Sequence, residues 1–157
     1  MAGAPAPPSP ERPLEGGCLC GAVRYRISAP FHSAGYCHCT HCQRRTGTGS
    51  SLNGRVPRAG FQLLQGAEEL RAFKPPEGIP KLFCATCGSA LFSGDPLSDE
   101  EVAIRLGTLD GDPQIRPQYR QFVASAPAWE PIPQDGLPRY PGARHISPEV
   151  TGPSQGR

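Results

Sequence analysis

No stretch of this chain longer than eleven residues is free of both glycine and proline. That stretch, Tyr36–Thr46, carries three of the cysteines. Glycine (19) and proline (20) make up about a quarter of the 157 residues, and neither sits well inside a helix or a central strand, so the elements must be short. A typical helix of about 10–14 residues has almost nowhere to form. A helical bundle and a doubly wound α/β fold are both excluded. There is no run of about 20 apolar residues, which excludes a membrane-spanning helix. Aromatics are 7% and hydrophobic residues 37%, little for a core and a sign that a disulfide or metal staple is needed. Neither sign of charge prevails. The net of +2 excludes the basic surface that nucleic acid or an anionic membrane would require. Only Arg24-Tyr25-Arg26 interleaves an aromatic with bases. The opening MAGAPAPPSPERP has neither a basic n-region nor an apolar h-region, so it does not read as a signal peptide.

Against these shortages stand seven cysteines. With no export signal the expected compartment is the reducing cytoplasm, where thiols bind metal more often than they pair. The odd number also argues against a closed disulfide framework. Counted as thiolates on two zinc ions, they turn the small positive charge slightly negative.

The length fits one domain, Leu14–Gly142, between a proline-rich tail at Met1–Pro13 expected to be disordered and a loose tail over residues 143–157. The ordered segments read as β. Val23, Tyr25 and Ile27 alternate with Arg24, Arg26 and Ser28, and Val102, Ile104 and Leu106 alternate with Ala103 and Arg105. Phe61–Leu64, Leu82–Cys84, Ala90–Ser93 and Gln118–Val123 are shorter strand candidates, punctuated by Gly60, Gly66, Gly94 and Asp110-Gly111. Ala67–Lys74 has room for two helical turns and Ser98–Glu101 for one. The expected fold class is mainly β: a small zinc-stapled domain with short strands, long loops and little helix.

The cysteines fall into three groups: Cys18-Leu-Cys20-Gly21, Cys37-His-Cys39-Thr-His-Cys42 and Cys84-Ala-Thr-Cys87-Gly88. The last has the form of a zinc knuckle. A C-x-x-C at a hairpin tip aims both sulfurs at one point, and the following glycine lets the backbone turn its amides toward them. A closed tetrahedral site wants two more ligands, and Cys18 with Cys20 can supply them. That leaves Cys37, Cys39 and Cys42, and three protein ligands with one vacancy is the arrangement of a catalytic zinc. Other partitions remain open on spacing. The middle group can be a second structural site with His32, His38, His41 or His145 as its fourth ligand, or it can share Cys18 and Cys20. His38 and His41 lie among the cysteines, where flanking positions tend to point away from the metal. Arg44 and Arg45 can hold a substrate carboxylate, balance thiolate charge or simply be solvated. Thr46–Ser51 is a small-residue run without the spacing or lysine of a phosphate loop.

Taken together, Gly17-Cys18-Leu-Cys20-Gly21-Ala-Val23-Arg-Tyr25, Cys37-His38-Cys39-Thr-His-Cys42-Gln43, Phe83-Cys84-Ala-Thr-Cys87-Gly88-Ser89, Val102–Asp110 and a closing segment with Trp129 and Gly136-Leu137-Pro138 form an ordered set of motifs. The set resembles the glutathione-dependent formaldehyde-activating enzymes, which share their domain with centromere protein V. The resemblance implies a β-tent fold, two zinc ions, and the addition of glutathione to formaldehyde. It also implies that Cys18, Cys20, Cys84 and Cys87 hold a structural zinc, and that Cys37, Cys39 and Cys42 hold a catalytic one. One departure stands out: many members carry a histidine before the tryptophan, where this chain reads Gln118-Tyr-Arg120-Gln-Phe-Val.

The function expected from the residues and the resemblance is that of a carbon–sulfur lyase acting on a small-molecule thiol and aldehyde, without nucleic-acid or membrane partners. The rival is a non-catalytic interaction module in which both zinc ions are structural.

Overall fold

The computed structural model describes residues 4–145. The chain forms two compact units, one made of residues up to Ser33 with Asn53–Ile115, the other of Ala34–Leu52 with residues from Arg116 on. Strands dominate the first, as expected, while the second carries the helix.

In the first unit, β1 (Leu14–Gly17), β2 (Arg24–Ile27) and β5 (Phe61–Gln65) form an antiparallel sheet in the order β1-β2-β5. Its inward positions follow the alternation in the sequence: Val23, Tyr25 and Ile27 are fully buried. A second antiparallel run has the order β4-β9-β8-β7-β6, formed by β4 (Ser51–Pro57, through Asn53–Pro57), β6 (Leu70–Phe73), β7 (Lys81–Cys84), β8 (Ala90–Ser93) and β9 (Glu101–Arg105). The thin core is concentrated here. Tyr25 stacks on Phe61 at 5.7 Å between ring centroids, and Phe92 meets both rings edge-on at 5.2 and 5.3 Å. Val56, Leu91, Val102 and Ile104 close around them.

In the second unit, β3 (Ser33–Cys37, through Ala34–Cys37) pairs in parallel with the two-residue β10 (Arg120–Gln121), setting Tyr36 opposite Arg120 and Cys37 opposite Gln121. The helix α1 (Thr40–Thr46) follows and ends at Gly47 in the left-handed region, φ 68°, whose N–H bonds the Gln43 carbonyl.

Several segments differ from expectation. Ala67–Lys74 is no helix: Ala67–Glu69 makes a single 3-10 turn, and Leu70–Phe73 continues as β6. No helix forms at Ser98–Glu101 either; the side chain of Asp99 accepts from the Asp95 N–H at 2.8 Å and ties off a turn there. The longest glycine- and proline-free stretch, given no helix in the sequence reading, contains α1. The strand expected over Gln118–Val123 shrinks to β10 because Phe122 takes a positive φ of 55°. Within Met1–Pro13, expected to be a disordered proline-rich tail, Pro8 is buried and Ser9 and Arg12 exchange backbone bonds of 3.1 Å. The carboxyl-terminal tail lies outside the described residues beyond His145.

Candidate metal centre

Two clusters of sulfurs form, and they divide the seven cysteines as four and three. The first belongs to the first unit. Cys18 and Cys20 occupy the turn after β1, where Gly21 at φ 79° donates its N–H to the Cys18 carbonyl at 3.1 Å. Cys84 ends β7 and Cys87 follows in the knuckle, closed by the Gly88 N–H on the Cys84 carbonyl at 2.8 Å, with Gly88 at φ 76°. The four Sγ atoms lie within 4.8 Å of one another. Cys18 and Cys20 are 3.6 Å apart, and Cys20 and Cys84 are 3.8 Å apart. Sulfurs about 2.3 Å from a tetrahedral zinc are about 3.8 Å from each other, so the spacing suits a closed four-thiolate ion.

Amides and hydroxyls surround this cluster. The Val23 N–H points at the Cys18 sulfur at 3.2 Å, and the Ser89 hydroxyl lies 3.2 Å from the Cys87 sulfur. Ser89, by its hydroxyl and then its backbone N–H, together with the Cys20 N–H, pulls the Cys87 thiol down to about 5. An Ala22 N–H lowers Cys20, but burial and the three neighbouring thiols override it and push Cys20 up to about 12. Four thiols this close resist ionising together; a divalent cation removes that resistance.

The second cluster belongs to the second unit and joins Cys37, Cys39 and Cys42, again with every Sγ within 4.8 Å of the others. Cys37 ends β3, and its neighbour His38 donates its N–H to the Gln121 carbonyl at 3.0 Å. Cys39 is the N-cap of α1, and its sulfur accepts the Cys42 N–H at 3.4 Å. Capping is what brings the residues at i and i+3 together. The Gln43 amide donates to the His38 and Ser125 carbonyls, both at 2.8 Å, and clips the loop in place. Crowding by Cys39 and Cys42, then burial, holds the Cys37 thiol far above its usual range, so this cluster too is suited to a cation.

None of the four histidines joins either cluster. His38, 5% exposed, places its Nε2 atom 3.3 Å from the Arg120 Nη1 atom. Burial lowers its pKa and the Arg120 charge lowers it further, against a hydrogen bond to the Gly49 backbone. That bond favours the protonated ring, so the ring donates it to the carbonyl. His32 pairs with Glu101 at 3.0 Å, and His41 and His145 are exposed. Arg44 and Arg45 occupy the last turn of α1, where a cation complements the helix dipole.

The sequence reading missed Arg120, whose side chain is 8% exposed. It donates from Nε at 3.0 Å and Nη2 at 2.8 Å to the Asp135 carboxylate and lies 4.0 Å over the Tyr36 ring. The signal available was a lone cation in an otherwise weakly charged strand candidate.

Fold and clusters together define a small, mainly β protein with two thiol groups spaced to hold metal ions. The chain belongs to the glutathione-dependent formaldehyde-activating enzyme family, whose sequence profile matches residues 13–125. A Halomonas elongata protein, provisionally named a glutathione-dependent formaldehyde-activating enzyme, is 29% identical over 126 residues, covering 76% of this chain and 80% of its own. A crystal structure of a Rhodobacter sphaeroides protein superposes with a TM-score of 0.51 at 26% identity, over 62% of this chain and 89% of the other.

Proposed function

We propose that the protein is a zinc-dependent carbon–sulfur lyase that adds a glutathione-like thiol to a formaldehyde-like aldehyde, or reverses that addition. In this reading Cys18, Cys20, Cys84 and Cys87 hold a structural zinc, and Cys37, Cys39 and Cys42 hold the catalytic one. The inequality of the two clusters carries the proposal: four sulfurs complete a tetrahedron, whereas three leave a corner for substrate. Zinc bound in the smaller cluster would supply an acidifying position for a substrate thiol, as it does for water.

The chain's own residues set up that position. Cys37, Cys39 and Cys42 would hold the ion, and the Cys42 N–H donates to the Cys39 sulfur, which favours negative charge there. Three thiolates make the cluster rich in electrons, so a thiol sulfur brought there stays nucleophilic. In the reaction, the thiol sulfur forms a bond to the aldehyde carbon. The carbonyl π pair moves to oxygen, and the thiol proton ends on that oxygen. The product is an S-hydroxymethyl thioether; no oxidant or reductant is needed, and the reverse path regenerates both substrates. The family to which the chain belongs supports glutathione and formaldehyde as the pair.

The test is consumption of formaldehyde in the presence of glutathione, measured above the uncatalysed background. Wild-type protein should accelerate it, and Cys42→Ser should remain folded but lose the acceleration. A folded Cys42→Ser protein with full activity would overturn the catalytic reading in favour of a non-catalytic, zinc-stabilised interaction module.

A further inference from the structure

Arg120 is a buried cation, and burial of a guanidinium is costly unless its donors are matched. Here they are matched with geometric care. Nε and Nη2 both reach the Asp135 carboxylate, and the guanidinium plane covers the Tyr36 ring. This fixes where Nη1 points, and it points at the His38 Nε2 atom at 3.3 Å. A guanidinium has hydrogens to offer and no lone pair. The His38 Nε2 atom must therefore accept, and the ring hydrogen resides on Nδ1.

His38 is the residue between Cys37 and Cys39. In extended backbone, i and i+2 share one face while i+1 faces the other. The ring thus hangs behind the peptide that links two of the three sulfurs.

We propose that Arg120 is a positioning residue: clamped by Asp135 and Tyr36, it holds the His38 ring as the Nδ1–H tautomer and, through that ring, holds the Cys37–Cys39 arm in the geometry that receives the metal. This rests on the assignment of Cys37, Cys39 and Cys42 as ligands under Proposed function. It adds a role for a residue that touches neither substrate nor metal.

The test uses 15N-labelled, zinc-loaded full chain and long-range proton–nitrogen correlation of the imidazoles at neutral pH. Wild-type His38 should show a hydrogen on Nδ1 and a bare, accepting Nε2. Arg120→Lys retains a donor and should retain that pattern. The double variant Arg120→Met with Asp135→Asn leaves no orphaned carboxylate and should lose the pattern. In that variant, zinc should pass from the three-cysteine cluster to a chromophoric chelator about 10-fold faster or more, with release from the four-cysteine cluster unchanged. A wild-type His38 protonated on Nε2 overturns the proposal, and so does a double variant that releases its three-cysteine zinc at the wild-type rate. If the double variant fails to fold, the wild-type and Arg120→Lys spectra decide. A wild-type chain that binds one zinc rejects the ligand assignment itself, whereas two zinc ions with unchanged release reject only the positioning role.

Discussion

Cys39 does two things at once, since its sulfur belongs to the three-thiol cluster and also caps α1 by accepting the Cys42 N–H. The two roles can be separated by substitution. Serine is a strong N-cap but a hard and poor zinc ligand, so Cys39→Ser should preserve the helix and the fold while losing one metal per chain. Elemental analysis and far-ultraviolet circular dichroism on the same sample check this. Cys84→Ser should behave oppositely. Cys84 is fully buried in the core, and its cluster joins turns 64 residues apart, so loss of that metal should unfold or aggregate the chain. The remaining core leans on single contacts in the same way. The Tyr25 hydroxyl meets the Thr108 hydroxyl at 2.6 Å, and Tyr25→Phe should cost about 1 kcal/mol in denaturant unfolding. Gly66→Ala should cost more, because Gly66 has φ 88° and an added Cβ would collide with the Ala22 carbonyl.

At the scale of elements, β1 and β2 are crosslinked by charge. Arg26 donates to Glu15 at 2.7 Å, and Arg24 pairs with both Glu15 and Asp110. These arginines hold Glu15 and Asp110 below their ordinary values of 4.5 and 3.8. Asp135 is lowered as well, since the Arg120 bonds and the Leu137 N–H overcome its burial. A carboxylate with a depressed folded pKa stabilises the protein above its unfolded value, and the stabilisation disappears as pH falls through the folded one. The carboxylate contribution to stability should therefore be constant from neutral pH to about 5 and be lost below about 4, beneath the steeper loss that proton competition for the metal-binding thiolates adds. A midpoint that rises on acidification through this window would contradict the pairing.

The elements also show which parts of the fold were legible. β2 and β9 could be read because one face is buried and the alternation is clean. β3 and β4 could not, because Ser33-Ala-Gly-Tyr-Cys and Ser51-Leu-Asn-Gly-Arg carry little strand propensity and are ordered by their partners. Helix α1 was hidden by its own chemistry: Thr40-His-Cys-Gln-Arg-Arg-Thr looks like ligand spacing, although Arg44 and Arg45 followed by Gly47 form a C-terminal helix signal. The close cysteine pairs and the triplet were legible because near spacing is a local constraint, whereas the joining of Cys18 and Cys20 to Cys84 and Cys87 across 64 residues stood open on spacing. The set of His38, Arg120 and Asp135 was not, because it depends on a parallel pairing across more than eighty residues.

For the molecule as a whole, the described residues before Leu14 make a few specific contacts. Pro8 is buried and the Ser9–Arg12 turn is closed, so deletion through Pro13 should lower the unfolding midpoint by several degrees. No helix of the described residues is long and apolar enough to cross a membrane. The seven thiols form two unequal clusters, which we propose serve two metals, one closed and one open to a substrate thiol. Zinc-edge X-ray absorption, recorded with and without glutathione on protein carrying two zinc ions, addresses it directly. The expected average is about 3.5 sulfurs per zinc, rising to about 4 when glutathione is added. An average of about 4 before any thiol is added, or one that glutathione leaves unchanged, would contradict it.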